Sequence, residues 1–415
     1  MRRVSTDMPN TDIQYYLRRQ EQGLNDMQSK IANQSRINEL RDDPLAAAHA
    51  VRYASYLTRL ERFEKNTLYA QGHYRIADDY MKNAIDILQR IRDLSVQGAN
   101  GTYAPEDLKY MAREVNELMK ELVSISNAKD NDGNQLFAGD KAFTEPFRIV
   151  EGTVPDGGEN MVVRVEYRGS GSTRRAEVTE GAYAVLDMGG GEVFWAENMQ
   201  IFSTFDATNY RVTEPGAFYI DGEEINAGPG DSLPAIVAKI NESAAAVKAY
   251  IDPVTKGIAL QSTNPHMIRL EDKVGSRILQ ELGVISNTVD PSAPNWHPSA
   301  RVSGGSAFDM VIRLRDALYR GDSDFVGSQG IGGIDLALTN LESRLAEVGS
   351  RQERVEATWQ RLNKEIPDVA AALAREAGLD FTTAATNLGM MDFAHKAALQ
   401  TAAKILPPTL LDFLR

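Results

Sequence analysis

From Ile334 to Ile366 the chain repeats one step. Ile334, Leu338, Leu341, Leu345, Val348, Gln352, Val355, Trp359, Leu362 and Ile366 alternate spacings of four and three residues over nine steps. A strand has a period of two and cannot hold this rhythm. It is the a/d seam of a helix wound against a partner. The same step runs through Ile13, Leu17, Gln20, Leu24, Met27 and Ile31, and through Ala77, Met81, Ala84, Leu88, Ile91, Ser95 and Gly98. It returns in Leu108, Met111, Val115, Leu118, Leu122 and Ile125, and in Ala384, Leu388, Met391, His395, Ala398, Ala402 and Ile405. An apolar stripe is stable in water only when covered, so these helices must pack on one another.

Local signals mark where the helices stop and start. The first is expected to end at Asn33-Gln34-Ser35. The next opens at Asp42-Asp43-Pro44, where Asp43 suits the N-cap, Pro44 the first helical position, and both carboxylates the helix dipole. Ala99-Asn100-Gly101 breaks that helix, and Pro105 with Glu106 and Asp107 opens a third. Asn131-Asp132-Gly133 closes it with a turn. Helix resumes after Ser306, and Pro367 is expected to kink or restart the long C-terminal one.

Between these ends the chain changes character. Residues 141–300 hold 16 of the 32 glycines and 10 of the 16 prolines. Met161–Tyr167 and Ala217–Ile220 alternate as strands, with Gly, Pro, Asp and Asn clusters between such runs. One helix is expected near 232–246, and a linker at 286–299 with Pro291, Pro294 and Pro298. The fold class is therefore α+β: a discontinuous, coiled-coil-like helical bundle built from both termini, with an inserted β-rich domain. Its expected parts are terminal assembly helices at 1–35 and 385–415, a helical rod at 36–140 and 301–384, and the β-rich insertion at 141–300.

The terminal stripes can cover each other only partly. Leu17, Leu24, Met27 and Ile31 at one end, with Leu399, Ala402, Ile405, Leu411 and Phe413 at the other, are expected to form an interface with other subunits. Asp42-Asp43-Pro44 is read as a cap and joint, having no third ligand or histidine beside it.

Catalysis finds no support. Zero cysteine excludes disulfides, thiolate metal sites and a cysteine nucleophile. His49, His73, His266, His297 and His395 are scattered without ligand spacing, and His395 on an apolar stripe is read as a satisfied packing residue. Asp130-Asn131-Asp132-Gly133 has its glycine misplaced for a calcium loop and is read as a turn. Gly330-Ile331-Gly332-Gly333 lacks the strand and spacing of a dinucleotide site. No catalytic, cofactor or metal residues are assigned. A net charge of −13 disfavours nucleic acid. No apolar run is long enough to span a membrane, and Met1–Asn10 lacks the apolar segment of a cleaved secretory signal.

Several motifs, in order, carry a resemblance. Arg36-Ile37-Asn38 with Asp42-Asp43-Pro44-Leu45-Ala46 resembles the signature of the bacterial flagellins and hook-associated proteins. Leu94–Gly101, Asn127-Ala128, Gly133–Gly139, Val348-Gly349-Ser350-Arg351, Ala398-Leu399-Gln400 and Leu410–Leu414 resemble the family's later stretches. Phe218–Ile225, with Ile240-Asn241 and Leu282-Gly283-Val284, resembles a β module inserted in its members. Asn33-Gln34 stands where the family carries a small Ser-Gly pair, and Ala374–Asp380 keeps only Asp380 of an acidic run. Arg3–Met8, Leu136-Phe137-Ala138-Gly139 and the closing Leu-Leu-Asp-Phe-Leu resemble the hook-associated branch that joins hook to filament.

The resemblance implies a structural subunit of the flagellum, forming a junction ring that adapts a flexible hook to the filament. Its implied partners are other copies in the ring, the neighbouring hook-associated protein, flagellin, and an export chaperone on the C-terminal segment. It implies secretion through the flagellar export channel, to the exterior or the periplasm. A filament flagellin is the alternative within the family. A coiled-coil adhesin or carbohydrate-binding stalk, with Trp195 and Trp296 as platforms, is the alternative outside it.

Overall fold

A computed structural model describes residues 8–39, 41–154, 157–286 and 295–405. In chain order its elements are α1 (Met8–Ala32), α2 (Pro44–Ala99), α3 (Pro105–Ser126), β1 (Phe147–Val154), β2 (Gly158–Tyr167), β3 (Arg175–Thr179), β4 (Ala182–Val185), α4 (Gly190–Val193), β5 (Gln200–Ser203), β6 (Gly216–Ile220), β7 (Glu223–Ala227) and α5 (Leu233–Glu242). There follow β8 (Val247–Ile251), β9 (Ile258–Ser262), β10 (Leu270–Asp272), α6 (Ile278–Glu281), β11 (Ala300–Ser303), α7 (Ala307–Arg320), α8 (Ser323–Phe325), a π turn (Val326–Gly330), α9 (Ile331–Ala377) and α10 (Phe381–Ile405). Helices at both ends enclose a β-rich middle, as the α+β reading requires.

The chain divides into two compact units: residues 1–65 with 359–415, and residues 66–358. The boundaries fall inside α2 and α9.

In the first unit α1 packs along α10. Leu60 and Phe63 of α2 and Leu362 of α9 form a small core, flanked by Tyr56, Ile366 and Val369. Tyr56 donates a hydrogen bond to Glu365 beside it. Of the kink or restart expected at Pro367, the restart does not occur: α9 runs through the proline to Ala377. Proline forfeits one helical bond and crowds the preceding turn, a cost of about 3 kcal/mol. The helix absorbs that here and ends instead where backbone crowding demands glycine, at Gly378.

The second unit holds two cores. The first is helical: Leu88 and Ile91 of α2, Val115, Met119 and Leu122 of α3, Val311, Leu314 and Leu318 of α7, and Ile334 and Leu341 of α9 are all buried together. The β1–β2 and β3–β4 hairpins close over it, both antiparallel. Phe137, Phe147, Phe194 and Phe308 meet there with ring centroids 5.0–5.7 Å apart. α7 begins on a capping box, in which Asp309 N–H donates to Ser306 Oγ (3.2 Å) and Ser306 N–H to Asp309 Oδ2 (2.8 Å).

The second core lies among a four-stranded antiparallel sheet ordered β11-β5-β9-β8, a three-stranded one ordered β10-β6-β7, and α5. α5 is shorter than expected, ending at Glu242. The part of the expected linker at 287–294 lies outside the described residues. Its C-terminal flank is anchored: Ile285 and Trp296 form a β-bridge, and His297 N–H donates to the Val284 carbonyl (2.9 Å).

Candidate assembly interface

α1 and α10 lie side by side, and α1 turns its stripe only halfway from water: Leu17, Leu24, Met27 and Ile31 are all half-buried. On α10, Ala384 and Ala402 are buried, while Leu399 is 46% exposed at the margin. The side chain of Ile405, and all of Leu411 and Phe413, lie outside the described residues.

α10 also carries apolar residues that the four-three reading passed over. Phe393 is 76% exposed and Met390 59%, both well away from Ala384 and Ala402 around the helix, and Phe381 is 63% exposed. Their signal in the sequence is a helix apolar on more than one face, with Asp392, His395, Lys396 and Lys404 as its only ionisable residues. His395 departs from its expected role: its buried Nδ1 has no hydrogen-bond partner among the described residues.

The two chain ends join at their inner boundary. Ser35 pairs with Gly378 as an isolated β-bridge, and Arg36 N–H donates to the Ala377 carbonyl (2.8 Å). The Arg36 guanidinium spans the joint, donating to Asp43 Oδ2 (3.2 Å) and to the Glu376 carbonyl (3.0 Å). Asp43 also caps α2, its Oδ1 accepting the Ala46 N–H at 3.1 Å, with Pro44 as the first helical residue. Asp42 Oδ2 accepts the N–H groups of Asn38 (3.1 Å) and Glu39 (3.3 Å) and faces Lys30 Nζ at 3.4 Å. The Asn38 and Glu39 N–H groups hold the Asp42 carboxyl below its ordinary range, and the Ala46 N–H with Arg36 does the same for Asp43. Arg36, Asp42, Asp43 and Pro44 thus act as a cap and joint. Ile37 is half-buried within it, and its N–H donates to Ser35 Oγ (3.2 Å).

Two descriptions match this chain at its ends. "Bacterial flagellin N-terminal helical region" matches residues 4–142 and "Bacterial flagellin C-terminal helical region" residues 331–414, together more than half of the chain. The chain belongs to the bacterial flagellin family. It is a structural flagellar component, not an enzyme. Flagellin of Listeria monocytogenes is 31% identical over 134 residues, 32% of this chain and 47% of that one, so the chain spans about half the length of this relative. Polar flagellin C of Vibrio parahaemolyticus is 23% identical over 420 residues, 99% of both chains. Among solved structures, flagellar hook associated protein-3 from Legionella pneumophila superposes with a TM-score of 0.45 at 18% identity, covering 78% of this chain and 97% of that one.

The remaining motifs fall into structural roles. Asp130 Oδ1 accepts the N–H groups of Asp132 (2.9 Å) and Asn134 (2.8 Å), and Gly133 takes a φ of 83°, so this stretch is a turn. Trp195 and Trp296 are both half-buried and pack against the second core. Among the described residues no helix is long and apolar enough to cross a membrane.

Proposed function

We propose that this chain forms the junction ring between the flagellar hook and the filament, assembling through α1 and α10. The observation that carries the reading is the one-sided pairing of these helices, which leaves Phe393, Met390 and Leu399 facing water on a chain of the flagellin family. Burying such residues between copies supplies roughly 1.5–3 kcal/mol each. Leu17, Leu24, Met27, Ile31, Ala402 and Ile405, with Leu411 and Phe413, belong to the same assembling ends, 1–35 and 385–415. Residues 36–140 and 301–384 form the helical support, and 141–300 the inserted β-rich part. The placement at the junction rests on Arg3–Met8, Leu136–Gly139 and Leu410–Leu414, the three motifs that resemble the hook-associated branch.

Its partners on this reading are further copies, the adjoining hook-associated protein and flagellin. The apolar C-terminal segment would be held by a cytoplasmic chaperone before export through the flagellar channel, and the absence of cysteine suits a chain that travels unfolded. Deletion of the gene should leave hooks without filaments and release flagellin into the medium. Normal filaments in the deletion strain would overturn the junction reading. A filament flagellin is favoured by the relative that matches over 99% of both chains. Antibody labelling separates the two: a single band at the hook end for the junction, and the whole shaft for a flagellin.

A further inference from the structure

His266 lies in the loop between β9 and β10, only 5% exposed. Its Nδ1 is 2.9 Å from the Asn264 carbonyl oxygen, and its Nε2 is 3.0 Å from Asp221 Oδ2. A carbonyl and a carboxylate both accept, and neither donates. A neutral imidazole carries one N–H and would turn a lone pair towards one of them, whereas the imidazolium donates to both.

The partners of this ring tie it to the rest of the second unit. Asp221 and Gly222 form the two-residue turn joining β6 to β7, with φ of 52° and 88°, the left-handed pair of a type I′ turn. The second carboxylate oxygen of Asp221 accepts the Arg269 N–H at 2.8 Å, and Asp221 N–H donates to the Arg269 carbonyl at 3.0 Å. On its other side the His266 loop meets the first core. Met267 N–H donates to the Gly191 carbonyl (2.9 Å), Arg269 Nη1 to the Gly169 carbonyl (2.5 Å), and the Met267 side chain packs against both cores. Residues 264–269 are thus the seam between the two cores, with His266 in its middle.

We propose that His266 is a charged pin that closes this seam while it carries both protons and loosens it on losing one. The charged groups that act on the ring are Asp221 from the β6–β7 turn and Glu192 from α4. Burial pushes the imidazolium towards neutrality. The Asp221 carboxylate, the Asn264 carbonyl and Glu192 more than offset that, so the ring holds its proton above its ordinary pKa of 6.5. A pKa raised on folding stabilises fully below the unfolded value and is lost as pH rises through the folded one. The seam is therefore tight in mild acid and weakens with alkalinity.

NMR on the full chain tests this, with the His266 signals identified by their loss in His266→Gln. Wild type should show both ring N–H protons at pH 6.5. Exchange of the Met267 and Arg269 amides should then rise, beyond the ordinary base-catalysed increase, by up to about tenfold per pH unit between the opened ring's pKa and the folded one, and the extra rise should level off above it. Asp221→Asn keeps a residue that tolerates the left-handed turn. It should lower the His266 pKa and abolish the extra pH dependence. A single ring proton at pH 6.5 in wild type, or amide exchange that follows only base catalysis, would overturn the proposal without bearing on the junction reading.

Discussion

Gly378 ends α9 because nothing larger fits. A Cβ there would lie 2.2 Å from the Ala374 carbonyl oxygen, which is backbone and cannot swing aside. Gly378→Ala should cost about 1–3 kcal/mol in urea unfolding and weaken the Ser35–Gly378 joint. Across that joint Gln34 takes a φ of 52°, where a side chain is strained by about 1–2 kcal/mol and glycine is at ease. Gln34→Gly should leave stability unchanged or raise it slightly, despite shortening a side chain. Arg315 is wholly buried in the first core, its Nη1 donating to Asn116 Oδ1 (2.9 Å) and the Val162 carbonyl (2.6 Å) and its Nη2 to Asp316 (2.7 Å). Arg315→Ala should destabilise by about 3–5 kcal/mol, because it leaves polar groups buried without partners. Asp43 and Pro44 could be placed from their own chemistry, since a cap depends on local backbone. The burial of Arg315 could not, because its acceptors lie on α3 and β2, far along the chain.

The helices were legible as elements because an a/d stripe repeats often enough to average out single exceptions such as Gln20 and Gln352. The restart allowed at Pro367 did not follow, because a local rule was set against a long helix that sustains one defect. Phe393 and Met390 escaped notice because a search for one stripe ignores the opposite face. Phe393→Ser should leave the melting temperature of the monomer within about 2 °C, since an exposed residue contributes little to its own fold, while reducing incorporation into flagella in a complementation assay. Strand β8 shows a different use of one side chain. It is the edge of its sheet, and Asn241 from α5 covers it, donating to the Ala249 carbonyl (2.9 Å) and accepting the Ala249 N–H (2.8 Å). Asn241→Ala would leave that edge open to another strand, and aggregation on mild heating, followed by light scattering, should rise.

At the level of the molecule, glycine and proline showed where the helical rhythm gives way. They could not show the order β11-β5-β9-β8, in which Ala300 pairs with Ser203 across nearly a hundred residues. Pairings at that distance depend on which surfaces remain free after the local hairpins form, and no window of sequence contains that information. At this scale we also expect the outer segments, 1–35 and 385–415, to order only on assembly. Limited proteolysis of the free monomer should trim roughly the first 35 and last 30 residues while the remainder persists. Full protection of both ends would count against that expectation.

The meeting of Ser35 with Gly378 closes the intervening chain into a ring, with 342 residues separating Ser35 from its partner Ala377. The entropy of closing such a ring grows only with the logarithm of its length, so doubling it costs about 0.6 kcal/mol. The outer helices therefore meet on nearly the same terms whatever is spliced between them. Surface decorations could be exchanged, enlarged or deleted in the middle of this chain over evolutionary time, and the fastening would scarcely register the change.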